Sequence, residues 1–302
     1  MKNAPASISS PPPPLLLERT SDFINLTKPK ITSLVLFTTF VGFYTGIDGS
    51  IPWLRLFHTL AGTALIAGGA GAFNMYLERQ LDVLMKRTAL RPLAAGRLQP
   101  GSALIFALAI SIGGFIYLYV QVNHLTCMLS AVIFAGYLIL YTPLKTRTWI
   151  CTFIGAVPGA LPAVLGWAAA NDAITFEAWI LFAIVFLWQM PHFYAIGWMH
   201  REDYRRAGFS LLPVMDDSGR RISRQALFFI ALLVIVTSLP YIAGVAGTIY
   251  MIGATVTGVA FLAFGWHFAR SNTTGSARLL FIASALYLPV LLALLVLNKN
   301  SG

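Results

Sequence analysis

Nine runs of mostly apolar residues divide the chain, at roughly 31–47, 54–73, 102–120, 125–142, 149–169, 178–196, 226–245, 247–266 and 279–297. A helix needs about 20 such residues to cross the hydrocarbon core of a bilayer. A soluble fold has nowhere to bury nine segments of that length. Composition agrees: 57% of the 302 residues are hydrophobic and 11% charged, against about 25% charged in a soluble domain. A disordered chain, a soluble enzyme and a nucleic-acid-binding domain are thereby excluded. The expected fold is all-α, a polytopic membrane protein with nine transmembrane helices. The runs do not alternate with period two, which excludes a transmembrane β-barrel. The stretch 226–266 is too long for one crossing and is divided at 244–247.

The net charge of +10 then bears on topology. With the N-terminus in the cytoplasm, 19 of the 21 Lys and Arg residues fall in cytoplasmic segments, and only Arg55 and Lys299 lie outside. Such asymmetry marks the cytoplasmic side. Residues 1–30 read as a cytoplasmic tail, extended at its proline tract 11–14, and 31–302 as the nine-helix domain. The tail has neither a secretory h-region nor an Arg-rich transit pattern, so a multi-pass protein of a bacterial plasma (inner) membrane is expected. Cys127 and Cys151 read as small buried hydrophobes.

Two long cytoplasmic loops, 79–101 and 200–224, carry both signs of charge. Function is therefore expected at the cytoplasmic mouth. Before the first loop, Asn74, Glu78 and Asp82 are spaced i, i+4, i+8. On a helix this puts three oxygen ligands on one face along about 12 Å. Acids so spaced repel each other, and burying them unpaired is costly; a hard cation such as Mg²⁺ removes both penalties. Arg79, Lys86, Arg87 and Arg91 follow and could hold phosphate oxygens. A solvated helix end with interfacial ion pairs accounts for the pattern equally well. Lys145 and Arg147 add a further basic turn, serving either phosphate or topology. The second loop places Glu202 and Asp203 beside Arg205 and Arg206. No P-loop, GxSxG, HExxH or paired CxxC occurs. The middles of the nine runs hold essentially no ionisable residue, which argues against a transporter and for an enzyme acting on a polar head group with a lipid tail.

These segments resemble the UbiA-type intramembrane prenyltransferases, and within them the branch that modifies heme. The matching residues are 26–30 (Leu-Thr-Lys-Pro-Lys), Asn74-x3-Glu78-Arg79-x2-Asp82 through Arg91-Pro92-Leu93, Tyr141-Thr142, Pro158 to Pro162 with Gly166-Trp167, Pro191-His192-Phe193, and Asp203-Tyr204-x2-Ala207-Gly208 with Leu212-Pro213-Val214. They cover most of the chain in order. The pattern departs at Gln189-Met190, where Thr-Pro is usual, and at Ser210-Leu211, where Pro-Met is usual. Only Asp203 stands clearly in the region of the superfamily's second acidic motif. The resemblance implies a UbiA-like bundle that joins farnesyl diphosphate, heme b and water. It implies Mg²⁺-diphosphate at Asn74, Glu78, Asp82 and Asp203, with Arg79, Lys86, Arg87, Arg91, Lys145 and Arg147 on phosphate oxygens. His192 is the expected heme contact, through iron or a propionate. Tyr76, Tyr141 and Tyr204 are placed to face an allylic cation. The partners implied are the lipid bilayer and no nucleic acid, with heme A synthase or oxidase assembly factors as possible protein contacts. The competing readings are a prenyltransferase with an aromatic or quinone-precursor acceptor and a non-catalytic heme-handling subunit; the diphosphate constellation disfavours the second.

Overall fold

A computed structural model describes residues 16–300 and is helical almost throughout; the proline tract 11–14 lies outside the described residues. Within the segment read as a tail, α1 (Leu16–Leu26) docks on the bundle. It buries Leu26 and Asp22, the latter paired with Arg97 at 2.8 Å. The chain then turns at Lys28, whose φ of 49° is left-handed, and Pro29 opens α2 (Pro29–Gly46), a first-turn position that needs no backbone N–H. There follow α3 (Trp53–Asp82), α4 (Pro100–Gln121) and α5 (His124–Ala135). A π-helical segment, Gly136–Tyr141, carries α5 into the short α6 (Thr142–Leu144). Next come α7 (Cys151–Asn171), α8 (Phe176–Met199), and the short α9 (Arg201–Arg206) and α10 (Leu212–Met215). The last four are α11 (Arg220–Val236), α12 (Leu239–Ile242), α13 (Thr248–Ser271) and α14 (Thr274–Leu297).

Eight helices among the described residues are long and apolar enough to cross a membrane: α3, α4, α5 through α6, α7, α8, α11 through α12, α13 and α14. They match eight of the nine runs. The remaining run, 31–47, is helical as α2 but is diluted by threonines. Thr38, Thr39 and Thr45 are buried, and the Thr38 and Thr45 hydroxyls return to carbonyls one turn earlier. The division at 244–247 coincides with Gly244, at φ +74°, and with Gly247 N–H donating to the Asn298 carbonyl at 2.8 Å. The seventh run does not stay one helix: it breaks after Val236, ahead of Pro240.

Neighbours in sequence pack as neighbours in space, α3 on α4, α7 on α8 and α13 on α14, while α2 lies along α7. That last contact brings backbones together. A methyl at Gly42 would sit 1.9 Å from the Ala163 carbonyl oxygen, and one at Gly166 would sit 1.9 Å from that of Thr39. Small residues are how helices approach closely where lipid offers no competing water. Arg55 and Lys299 share the end of the bundle away from the two long charged loops: Arg55 pairs with Asp172 at 2.8 Å, and Lys299 donates to the Tyr44 carbonyl at 3.1 Å. Gly166→Ala is expected to destabilise the fold by about 1–3 kcal/mol, the scale of overpacking. Gly113, with open space around it, is the control, and Gly113→Ala should melt at or above wild type in a thermal denaturation in detergent.

Candidate active site

The apolar run of α3 ends near residue 73, but the helix continues for more than two turns to Asp82. Those turns carry Asn74, Glu78 and Asp82 into the bundle instead of out to water, and all three are buried. They form one wall of a cavity of about 420 Å³ bounded by α2, α3, the π segment, α7, α8 and the loops after α3 and α9.

Each oxygen donor on that wall meets a base from a different part of the chain. Lys28 donates to Asn74 Oδ1 and lies 3.4 Å from the Tyr137 hydroxyl; the Asn74 amide in turn donates to Thr142 at 3.0 Å. Lys145 Nζ reaches Glu78 at 2.6 Å. Arg91 Nη1 donates to both oxygens of Asp82 at 2.8 Å. Carboxylates this deeply buried persist as anions only when paired and hydrogen-bonded. Burial, and then the charge of Arg91, push the Lys28 ammonium down to about 7. Burial also works against charge on Lys145, but Glu78 outweighs it and holds Lys145 above its ordinary value.

Aromatic rings line the same end. The π-helical register stacks Tyr137 and Tyr141 with centroids 5.6 Å apart, and the Lys145 ammonium sits 4.5 Å from the centre of the Tyr141 ring. A methyl at Gly155 would lie 2.4 Å from that ring, so the glycine makes room for it. Arg87 donates to the Tyr204 hydroxyl at 3.3 Å across the mouth. Deeper in, the wall turns apolar. There His192 stacks on Trp188 with centroids 4.8 Å apart and meets Ser284 of α14 at 2.8 Å.

Of the residues singled out from sequence, Asn74, Glu78, Asp82, Arg87, Arg91, Lys145, His192, Tyr141 and Tyr204 line this cavity. Five others do not. Arg79 lies over the Tyr76 ring and donates to its carbonyl at 2.7 Å; neither residue reaches the lining. Lys86 and Arg147 are exposed. Asp203 pairs with Arg206 within α9, and it is the next residue, Tyr204, that faces the cavity. Lys28 and Tyr137 were not assigned a role from sequence. The Lys-Pro step was a visible signal for Lys28; nothing local marks Tyr137, because its direction depends on the π register.

Among the described residues no group of three or more His, Cys, Asp or Glu could hold a metal unaided. The donor set is instead two carboxylates and an amide on one wall, oxygen only. It suits a hard cation such as Mg²⁺ that keeps waters and completes its shell with substrate phosphates.

The described residues form an all-helical bundle with oxygen donors and bases at one end of an apolar cavity, an arrangement suited to an anionic head group on a lipid tail. The chain belongs to the UbiA prenyltransferase family, which matches residues 35–295. It is 46% identical over 287 residues to a protoheme IX farnesyltransferase of Solibacter usitatus, covering 92% of this chain and 98% of that one. It is 39% identical over 309 residues to the protein of the same name in Koribacter versatilis, covering 98% and 99%. The fold resembles a solved digeranylgeranylglyceryl phosphate synthase, with a TM-score of 0.78 at 17% identity over 93% of this chain and 98% of that one. It also resembles a UbiA homologue from Archaeoglobus fulgidus bound to GPP and Mg²⁺, with a TM-score of 0.66 at 16% identity over 91% and 99%.

Arg91→Gln removes the partner of a carboxylate that is 1% exposed. It is expected to cost about 3–5 kcal/mol, and adding Asp82→Asn should recover most of the loss. Denaturation of the two single variants and the double variant in detergent checks this.

Proposed function

We propose that this chain transfers the farnesyl group of farnesyl diphosphate, with addition of water, to a vinyl group of heme b, giving heme O and diphosphate. The observation that carries the reading is the wall of Asn74, Glu78 and Asp82, each met by a base, at the mouth of an apolar cavity. The names of the relatives supply the acceptor.

On this reading Asn74, Glu78 and Asp82 would hold Mg²⁺, which supplies charge neutralisation to the leaving diphosphate. Lys28, Lys145 and Arg91 already converge on that wall, so their donors stand where negative charge grows as the carbon–oxygen bond breaks. Arg87 closes the outer side. Arg79, Lys86, Arg147 and Asp203, off the lining, are given no direct contact with the diphosphate. The ring faces of Tyr137, Tyr141 and Tyr204 stabilise the allylic cation. The vinyl terminus adds to that cation. The new cation beside the porphyrin takes the oxygen of water and releases a proton to diphosphate or solvent. His192, in the apolar half, contacts the heme. No side-chain nucleophile is needed.

The site lies at the end of the bundle assigned to the cytoplasm of a bacterial plasma membrane, in a nine-crossing topology with the N-terminus inside. The product carries the farnesyl chain, so it leaves through the bilayer or to a membrane partner such as heme A synthase or an oxidase assembly factor. Reporter fusions after Gly101 and Gly219 should read cytoplasmic and one after Asp172 periplasmic; a cytoplasmic signal at Asp172 would overturn the topology.

Membranes incubated with heme b and labelled farnesyl diphosphate should yield a product with the mass of heme b plus a farnesyl group and a hydroxyl. Turnover should stop on chelation and return with Mg²⁺. Glu78→Gln and Asp82→Asn should each reduce turnover by at least about 100-fold, the scale for removing a group that stabilises developing charge. Label that stays out of heme but enters an aromatic acceptor would point to another prenyltransferase of the same fold.

A further inference from the structure

We propose that Ser284 is a positioning residue for the acceptor: it fixes the tautomer of His192 so that Nε2 presents an open lone pair to the iron of heme b. The inference rests on heme b being the acceptor. Ser284 is fully buried in α14, and its hydroxyl donates to the Phe281 carbonyl at 2.7 Å. A serine has one hydroxyl hydrogen. With that hydrogen on Phe281, the 2.8 Å contact between Ser284 Oγ and His192 Nδ1 is satisfied only if Nδ1–H is the donor. A neutral imidazole protonated at Nδ1 carries its lone pair on Nε2. Among the described residues the hydrogen bond of His192 runs through Nδ1, and His192 lines the cavity.

The ring is held on other sides as well. It stacks on Trp188, tilted by 27°, and packs on Phe281 with centroids 5.1 Å apart. Trp188 is itself pinned to the same residue, donating from Nε1 to the Ser284 carbonyl at 2.7 Å. One serine thus orders both aromatic partners of α8. An acceptor on the far nitrogen is the usual way a protein orients a metal-binding histidine and raises its basicity. The tautomer also decides between the two contacts open to His192. With Nδ1–H spent on Ser284, Nε2 cannot donate to a propionate, so iron ligation is the contact it can make.

The test uses purified full-length protein titrated with heme b, read by the Soret band and by the iron–imidazole stretching band of the ferrous form. Farnesyl diphosphate binding is measured in parallel. Ser284→Ala should weaken heme binding by about 10-fold or more and lower the frequency of the stretching band, with farnesyl diphosphate affinity unchanged. Ser284→Thr, which keeps the hydroxyl, should restore both. His192→Ala should abolish the band. Wild-type heme affinity and an unshifted band in Ser284→Ala, with the band lost in His192→Ala, would overturn the role of Ser284 and leave the heme contact standing. If His192→Ala also leaves heme binding and band unchanged, heme does not sit at His192 and both readings fall.

Discussion

Two carboxylates, Glu78 and Asp82, are buried near the end of a bundle that is otherwise apolar, and the rest of the site is arranged around that fact. Charge in such a place is costly unless it is paired and hydrogen-bonded. The bases that meet the wall come from three separated segments: Lys28 before α2, Arg91 in the loop after α3, and Lys145 after α6. Each contact ties a loop to α3. The same electrostatic requirement that holds the loops in place therefore gathers cations around a pocket suited to a diphosphate.

The apolar half of the cavity obeys a different constraint. Its walls are helices packed through small residues, and the close approach at Gly42 and Gly166 lets α2 lie flat on α7. Glycine at 155 leaves space for Tyr141, and the π segment turns Tyr137 and Tyr141 to the same side. Such segments recur at functional sites because one extra residue re-aims side chains without breaking the helix. The result is a polar mouth continuous with an apolar interior, which matches a substrate with a charged head and a long hydrocarbon tail.

Division of labour between the two halves has a chemical consequence. On the proposed reading the leaving group would be handled where bases and oxygen donors converge, and the acceptor beside Trp188 and His192 in the apolar half. An allylic cation formed between them would face the rings of Tyr137, Tyr141 and Tyr204.

Much of the architecture was legible in the sequence, because crossing a bilayer demands long apolar runs and the charges between them mark sides. The helical class, the break at 244–247 and the shared face of Asn74, Glu78 and Asp82 all follow from local pattern. The family, too, was readable from motifs in order. Tertiary structure alone decided which residues meet. Lys86 and Arg147 sit in the same kind of basic loop as Arg91 and Lys145, yet only the latter pair turns inward. Asp203 carries the motif position, but α9 aims Tyr204 at the cavity. Lys28 reaches Asn74, 46 positions away, and Ser284 meets His192 from a helix 92 positions on. Spacing along a chain constrains neighbours on one helix; it carries no information about the rotation of one helix against another, and that rotation selects the site.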